Sequence, residues 1–255
     1  MPSSYADMNN EQLRLNAQEG DVEAAFLLGK RLLAVRGSAM EGVEYLKEAA
    51  KKRHLQACEI LGSTFLYGEG GVPQDKRQAM VYYEQAQALG SVTARTRLID
   101  LYLDSEDKAE RGLQLLTDAA DAGDRKAAAR AARLYLTGEV SGVDLERAAK
   151  YALISDDSAV LFETAEKLDL LGTNEALRDE MYQKLLAKDR EGAQLGISAC
   201  LALGELYRRG KGTKADGRSA ERLFLRAIEL EKQQVMSEPK AELMLAELYE
   251  KGAEG

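Results

Sequence analysis

Residues Leu203–Phe224 read LGELYRRGKGTKADGRSAERLF, and the RGKGT inside them has the look of a phosphate-gripping loop. Such a loop needs Gly-x4-Gly-Lys-Ser/Thr at the end of a strand, so that backbone N–H groups converge on phosphate. Here Gly210-Lys211 is followed by Gly212, Glu205 holds the upstream glycine position, and the residues before it have helical spacing. A turn between two helices accounts for the same residues. Gly210 supplies the left-handed residue that ends a helix, and Asp216 suits the N-cap of the next.

Working outward, the stretch recurs. Leu61–Gly90, LGSTFLYGEGGVPQDKRQAMVYYEQAQALG, has the same Leu-Gly, an aromatic three residues on, a Gly-x-Gly turn, an Asp and then an Ala. Further copies start at Leu28, Leu98, Ala131 and Leu245, with Leu32, Phe65, Tyr102, Tyr135, Tyr207 and Tyr249 at the aromatic position. The step from Tyr135 to Tyr207 is about twice the others, so a degenerate copy with Leu168 at that position fills 158–191. Gly68, Gly138, Gly210 and Gly252 fall where a helix would end, and Asp75, Asp144 and Asp216 where the next would begin. The copies at Leu28 and Leu98 lack the Gly-x-Gly turn, which is a shortened loop rather than a lost hairpin.

Each copy reads as two antiparallel helices, A and B. Ala24, Leu28 and Leu32, like Ala57, Leu61 and Phe65, recur at helical spacing. The glycine of Leu-Gly is read as letting helix B cross closely. Gly42 and Gly112, with Ala49-Ala50 and Ala119-Ala120, are the matching small residues of helix B. Tyr82, Tyr83, Tyr151 and Phe224 are read as packing against helix A. Such hairpins cannot bury their apolar faces alone and stack into an array. The expected fold is all-α, a right-handed α-solenoid forming one repeat domain over 1–255. A capping helix (1–19) precedes repeats at about 20–54, 55–90, 91–123, 124–157, 158–191 and 192–232, with a partial repeat at 238–255. That last copy has a helix A and no helix B. Either the native chain continues past Gly255, or further repeats or another subunit cover its face.

Composition agrees and narrows function. Three prolines and abundant Ala, Leu, Glu and Lys favour helix. The net charge, 35 − 43 = −8, and the lack of a basic stripe interleaved with aromatics argue against nucleic acid. No apolar run suits a membrane span, and the first residues, MPSSYADMNNEQ, are polar. Cys58 and Cys200 sit in apolar helical stretches and read as buried free thiols. His54 is the sole histidine, which excludes zinc sites of the usual Cys/His spacing. It reads as a charged group near a helix C-terminus. Glu41, Glu44 and Glu48 interleave with Lys47, Lys51 and Lys52, which is a solvated face rather than a paired-acid site. No catalytic residue, cofactor or metal is expected.

ACEILGSTFLYGEGGVPQDKRQAMVYYEQAQALG and ACLALGELYRRGKGTKADGRSAERLFLRAIEL follow a pattern of Ala-x3-Leu-Gly-x2-Tyr-x2-Gly-x-Gly and, in helix B, spaced alanines. In this the chain resembles the Sel-one-like repeat family, relatives of the tetratricopeptide repeats. Phe65 replaces the tyrosine, Gly71 is an insertion, and Thr213 stands for valine. The resemblance implies a non-catalytic scaffold that binds protein partners on a concave face. It also suggests bacterial periplasmic proteins, some of them scaffolds for exopolysaccharide secretion such as alginate export. A cytoplasmic location is the alternative, and a recognition arm of a larger enzyme or a direct carbohydrate binder are alternative functions. By analogy with tetratricopeptide geometry, the outward positions are Lys30, Ser63, Asp100, Arg133, Glu205 and Glu247. The second row is Leu33, Leu66, Leu103, Leu136, Arg208 and Glu250, of which the leucines could instead pack between repeats.

Overall fold

The computed structural model describes residues 5–191, 195–233 and 240–252. Among them the chain forms fourteen α-helices. A short helix, α1 (Asn10–Gln18), leads into seven A helices: α2 (Val22–Leu33), α4 (Leu55–Tyr67), α6 (Val92–Leu103), α8 (Arg125–Thr137), α10 (Ser158–Leu171), α12 (Ile197–Arg209) and α14 (Lys240–Lys251). Between them lie the B helices α3 (Ala39–Lys51), α5 (Lys76–Ala88), α7 (Ala109–Asp121), α9 (Leu145–Ser155), α11 (Glu175–Arg190) and α13 (Gly217–Glu231). The chain divides into two compact units, Met1–Leu115 and Leu116–Gly255, with the division inside α7.

The boundaries follow from local chemistry. Gly68, Gly138 and Gly210 close α4, α8 and α12 in the left-handed conformation, at φ 72°, 77° and 68°. The carboxylates of Asp75, Asp144 and Asp216 accept N–H bonds from the first turns of α5, α9 and α13. Most A helices are capped likewise, by Asp21, Ser91, Asp124 and Asp157. His54 takes this place on α4, which corrects its reading as a charge at a helix C-terminus. Its Nδ1 accepts from the Ala57 N–H at 3.2 Å, its Nε2 lies 3.3 Å from Glu23, and its ring stacks on Phe26 at 4.3 Å. The bond to Ala57 uses the lone pair of Nδ1.

In the first unit Leu46, Leu61, Tyr83, Leu98 and Tyr102 form the buried core, against which Leu33, Phe65, Leu66 and Tyr82 pack. The Leu-Gly glycines serve two purposes. A Cβ on Gly29 would lie 2.8 Å from the Gly42 carbonyl oxygen, so α2 and α3 cross backbone to backbone. A Cβ on Gly62 or Gly204 would instead strike a ring, Tyr83 at 2.6 Å or Phe224 at 2.3 Å. There the glycine is a socket for an aromatic on helix B.

Two further regularities tie neighbouring pairs together. At three A-helix aromatic positions the hydroxyl donates to a carboxylate on the preceding B helix: Tyr102 to Glu84, Tyr207 to Asp189 at 3.1 Å, and Tyr249 to Glu221 at 2.6 Å. Connections within pairs also alternate. Residues 34–38, 104–108 and 172–174 are short, whereas 68–75, 138–144 and 210–216 are long. Gly70, in a long connection, sits against Ala39 and the Leu33 carbonyl, which flank the short one before it. Gly212 sits against Tyr182, and Gln183 donates to its carbonyl at 2.8 Å.

Cys58 and Cys200 are buried free thiols whose pKa values burial pushes upward. Among the described residues no His, Cys, Asp and Glu group could hold a metal ion, and no helix is long and apolar enough to cross a membrane.

Candidate protein-interaction surface

Within Leu116–Gly255 the A helices lie side by side: α10 touches α8 and α12, and α12 touches α14. Two open cavities lie along this row. One, of about 710 Å³, is walled by the ends of α8 and α10, with Leu136, Val143 and Leu170 as its apolar lining. The other, of about 790 Å³, lies among the first turns of α10, α12 and α14.

The polar side of the first cavity is a chain of ion pairs. Lys211, the lysine of RGKGT, bonds Glu166 and Asp169, both at 2.7 Å. Arg209 bonds Glu166 at 2.8 Å and Glu205 at 2.7 Å, while Arg178 reaches Asp169 at 3.1 Å. The hydrogen bond from Lys211 holds the Asp169 carboxyl below the ordinary carboxylate range. Burial pulls the Lys211 ammonium down, but its bonds to Asp169 and Glu166 outweigh that and raise its pKa. The glycine turn is therefore an electrostatic clamp between two helix pairs, and its lysine is already committed to carboxylates. Beside it Leu170 is 79% exposed, a large apolar side chain in water at the end of an A helix.

The expected outward residues divide. Lys30, Asp100 and Arg133 are exposed, and Ser63 is half-buried with its hydroxyl on the Ile60 carbonyl at 3.0 Å. Arg133 lies 3.7 Å from Glu163 across to α10. Glu247 is half-buried and Glu250 exposed. Glu205 and Arg208 are not outward: each is only 4% exposed, and they bond one another at 2.9 Å. Mutual neutralisation is what allows two such charges to leave water together. Leu33 and Leu66 pack into the first unit's core, and Leu103 lies on Gly112. Leu136 lines the cavity. Glu166, Asp169 and Leu170 were not anticipated, because they belong to the degenerate fifth copy.

A Sel1 repeat pattern matches residues 22–54, 55–91, 125–155, 197–231 and 239–255, more than half of the chain. The chain belongs to the Sel1 repeat family. Members of the Sel1 repeat family are generally protein-interaction scaffolds. The Sel1 pattern skips 92–124 and 156–196, where α6, α7, α10 and α11 nevertheless form. Among solved structures, the chain is similar to c5321, a protective antigen of uropathogenic Escherichia coli displaying an SLR fold. The TM-score is 0.57 at 21% identity, over 96% of this chain and 52% of that one. This chain thus spans about half the length of that antigen, and the likeness is one of fold. It is also similar to a Sel1 repeat protein from Oxalobacter formigenes, with a TM-score of 0.49 at 20% identity over 95% of this chain and 81% of that one. No curated protein matches in sequence.

Proposed function

We propose that this chain is a non-catalytic scaffold that holds a protein partner along the A-helix row of Leu116–Gly255. The observation that carries the reading is Leu170, 79% exposed at the lip of an open cavity with Leu136 and Val143 beside it. Apolar side chains held in water beside a polar rim are what protein interfaces bury. The carboxylates there, Glu166 and Asp169, are locked to Arg209 and Lys211, which suits positioning better than proton transfer.

A photo-crosslinking residue at Leu170, introduced in the native host, tests this. It should trap one discrete protein, whereas the same group at Leu225, exposed on helix α13, should not. Equal yields at both positions, or none at Leu170, would overturn the reading. The family resemblance extends the proposal to the bacterial periplasm and to assembly of an exopolysaccharide-secretion complex. Recovery of the chain with cytoplasmic markers on cell fractionation would remove that extension.

A further inference from the structure

The second cavity allows the partner's chemistry to be read, an inference that rests on the scaffold reading above. Its floor is Phe162, Ile197, Leu201 and Met244, all half-buried. Side chains left half-open on a cavity wall still have apolar area to lose to an incoming group. Its rim carries Asp156, Asp157 and Glu163, with Glu231 buried beneath it and Lys240 at its edge. Asp156 is answered from below by Lys188 at 3.1 Å and Lys184 at 3.5 Å. Asp157 and Glu163 are exposed, and Arg133, which pairs with Glu163, is 3.7 Å away and itself half in water, so screening weakens that pair.

An acidic peptide or any polyanion would face carboxylates it cannot pair. A neutral apolar group of this size would desolvate them without return. A cationic group meets both demands. We infer that this cavity docks a cationic protein segment carrying at least two large apolar side chains, with its Lys or Arg at Asp157 and Glu163 and its apolar groups on the floor. A volume of about 790 Å³ accepts several side chains of one segment, not a folded domain.

Fluorescence anisotropy with two labelled amphipathic peptides tests the inference, one of Lys and Leu and its isosteric counterpart of Glu and Leu. The full chain should bind the Lys–Leu peptide at least about tenfold more tightly, a difference of about 1.4 kcal/mol. Asp157→Asn keeps a helix cap and, combined with Glu163→Gln, should weaken that binding about tenfold. The deciding variant is Met244→Glu. Diffuse attraction to a chain of net charge −8 would tighten binding of the cationic peptide, whereas docking on the floor requires that it weaken. Met244→Ala, which adds no charge, should weaken it too, and circular dichroism melts report whether each variant is folded. Binding of the Lys–Leu peptide that is unchanged or tighter in folded Met244→Glu, or equal binding of both peptides, would overturn the inference. If crosslinking at Leu170 traps a partner while neither peptide binds, the scaffold reading stands and this one falls. Failure of the crosslink with groove-dependent binding intact has the opposite meaning.

Discussion

Gly204→Ala should destabilise the protein, although the same change in an open helix would stabilise it. Glycine costs about 1 kcal/mol relative to alanine within a helix, so propensity alone favours the variant. Packing opposes it. The new Cβ would stand 2.3 Å from Phe224 Cε1, 2.7 Å from Cδ1 and 2.9 Å from Cζ. Carbon atoms in contact normally stand about 3.5–4.0 Å apart, so the overlap exceeds an ångström. The ring cannot swing away, because Phe224 is fully buried in a cluster with Ala220 and Leu248. Overpacking of this kind costs about 1–3 kcal/mol, and an immobile ring belongs at the upper end, leaving a net loss of about 2 kcal/mol. Urea unfolding followed by circular dichroism measures it, with the slope checked for constancy. In Phe224→Leu the same glycine change should be far less harmful, giving a coupling of about 1–2 kcal/mol in the double-mutant cycle. The fourth copy already follows this rule, with Ala132 in place of the glycine and Ala152 in place of the ring. Gly204→Ala as stable as the parent, or additivity with Phe224→Leu, would refute the socket.

Other outcomes follow from the same geometry. Arg53 ends α3 at φ 63°, where the neighbouring Gly20, Gly90 and Gly123 are all glycine; Arg53→Gly should raise stability by about 1 kcal/mol in thermal or urea unfolding. Glu205→Ala should be destabilising because it takes from the buried Arg208 the carboxylate it bonds at 2.9 Å, and Glu205→Ala with Arg208→Leu should cost less than the two changes summed. Burial pushes the Tyr83 phenol up to about 12 from its ordinary 10.0. The folded chain therefore holds that proton where the unfolded one releases it, so stability should fall as pH rises from about 10 to 12, less steeply in Tyr83→Phe. At the acid end Asp169, held low by Lys211, stabilises the fold above the ordinary carboxylate pKa. That contribution should fade as pH falls below about 4, and Asp169→Asn should remove it.

What could be read in advance was local chemistry. Gly210 and Asp216 announce a helix end and a helix start whatever surrounds them, and the structure places both so. The Leu-Gly glycine announced a close approach, but not of what, since the partner on helix B differs between Gly42 and Phe224. The surface was harder. Glu205 and Arg208 look like solvent residues until one sees that they neutralise each other on a helix against which α14 lies. Glu166, Asp169 and Leu170 stand in a copy where Ala165 replaces the glycine and Leu168 the tyrosine, so nothing in the repeat pattern drew attention to them. His54 misled because imidazole is usually considered as a cation, whereas here its lone pair serves as the cap.

The alternation of short and long connections bears on how such a chain could be lengthened or cut. Gly70 rests on Leu33 and Ala39, which flank the short connection before it, and Gly212 rests on Tyr182 of the helix pair before it. Splicing out a single hairpin would therefore set two long turns in the same space, or leave two short ones with nothing over them. The module that can be duplicated, deleted or grafted without rebuilding its seams is the pair of hairpins, not the single repeat that the eye finds in the sequence.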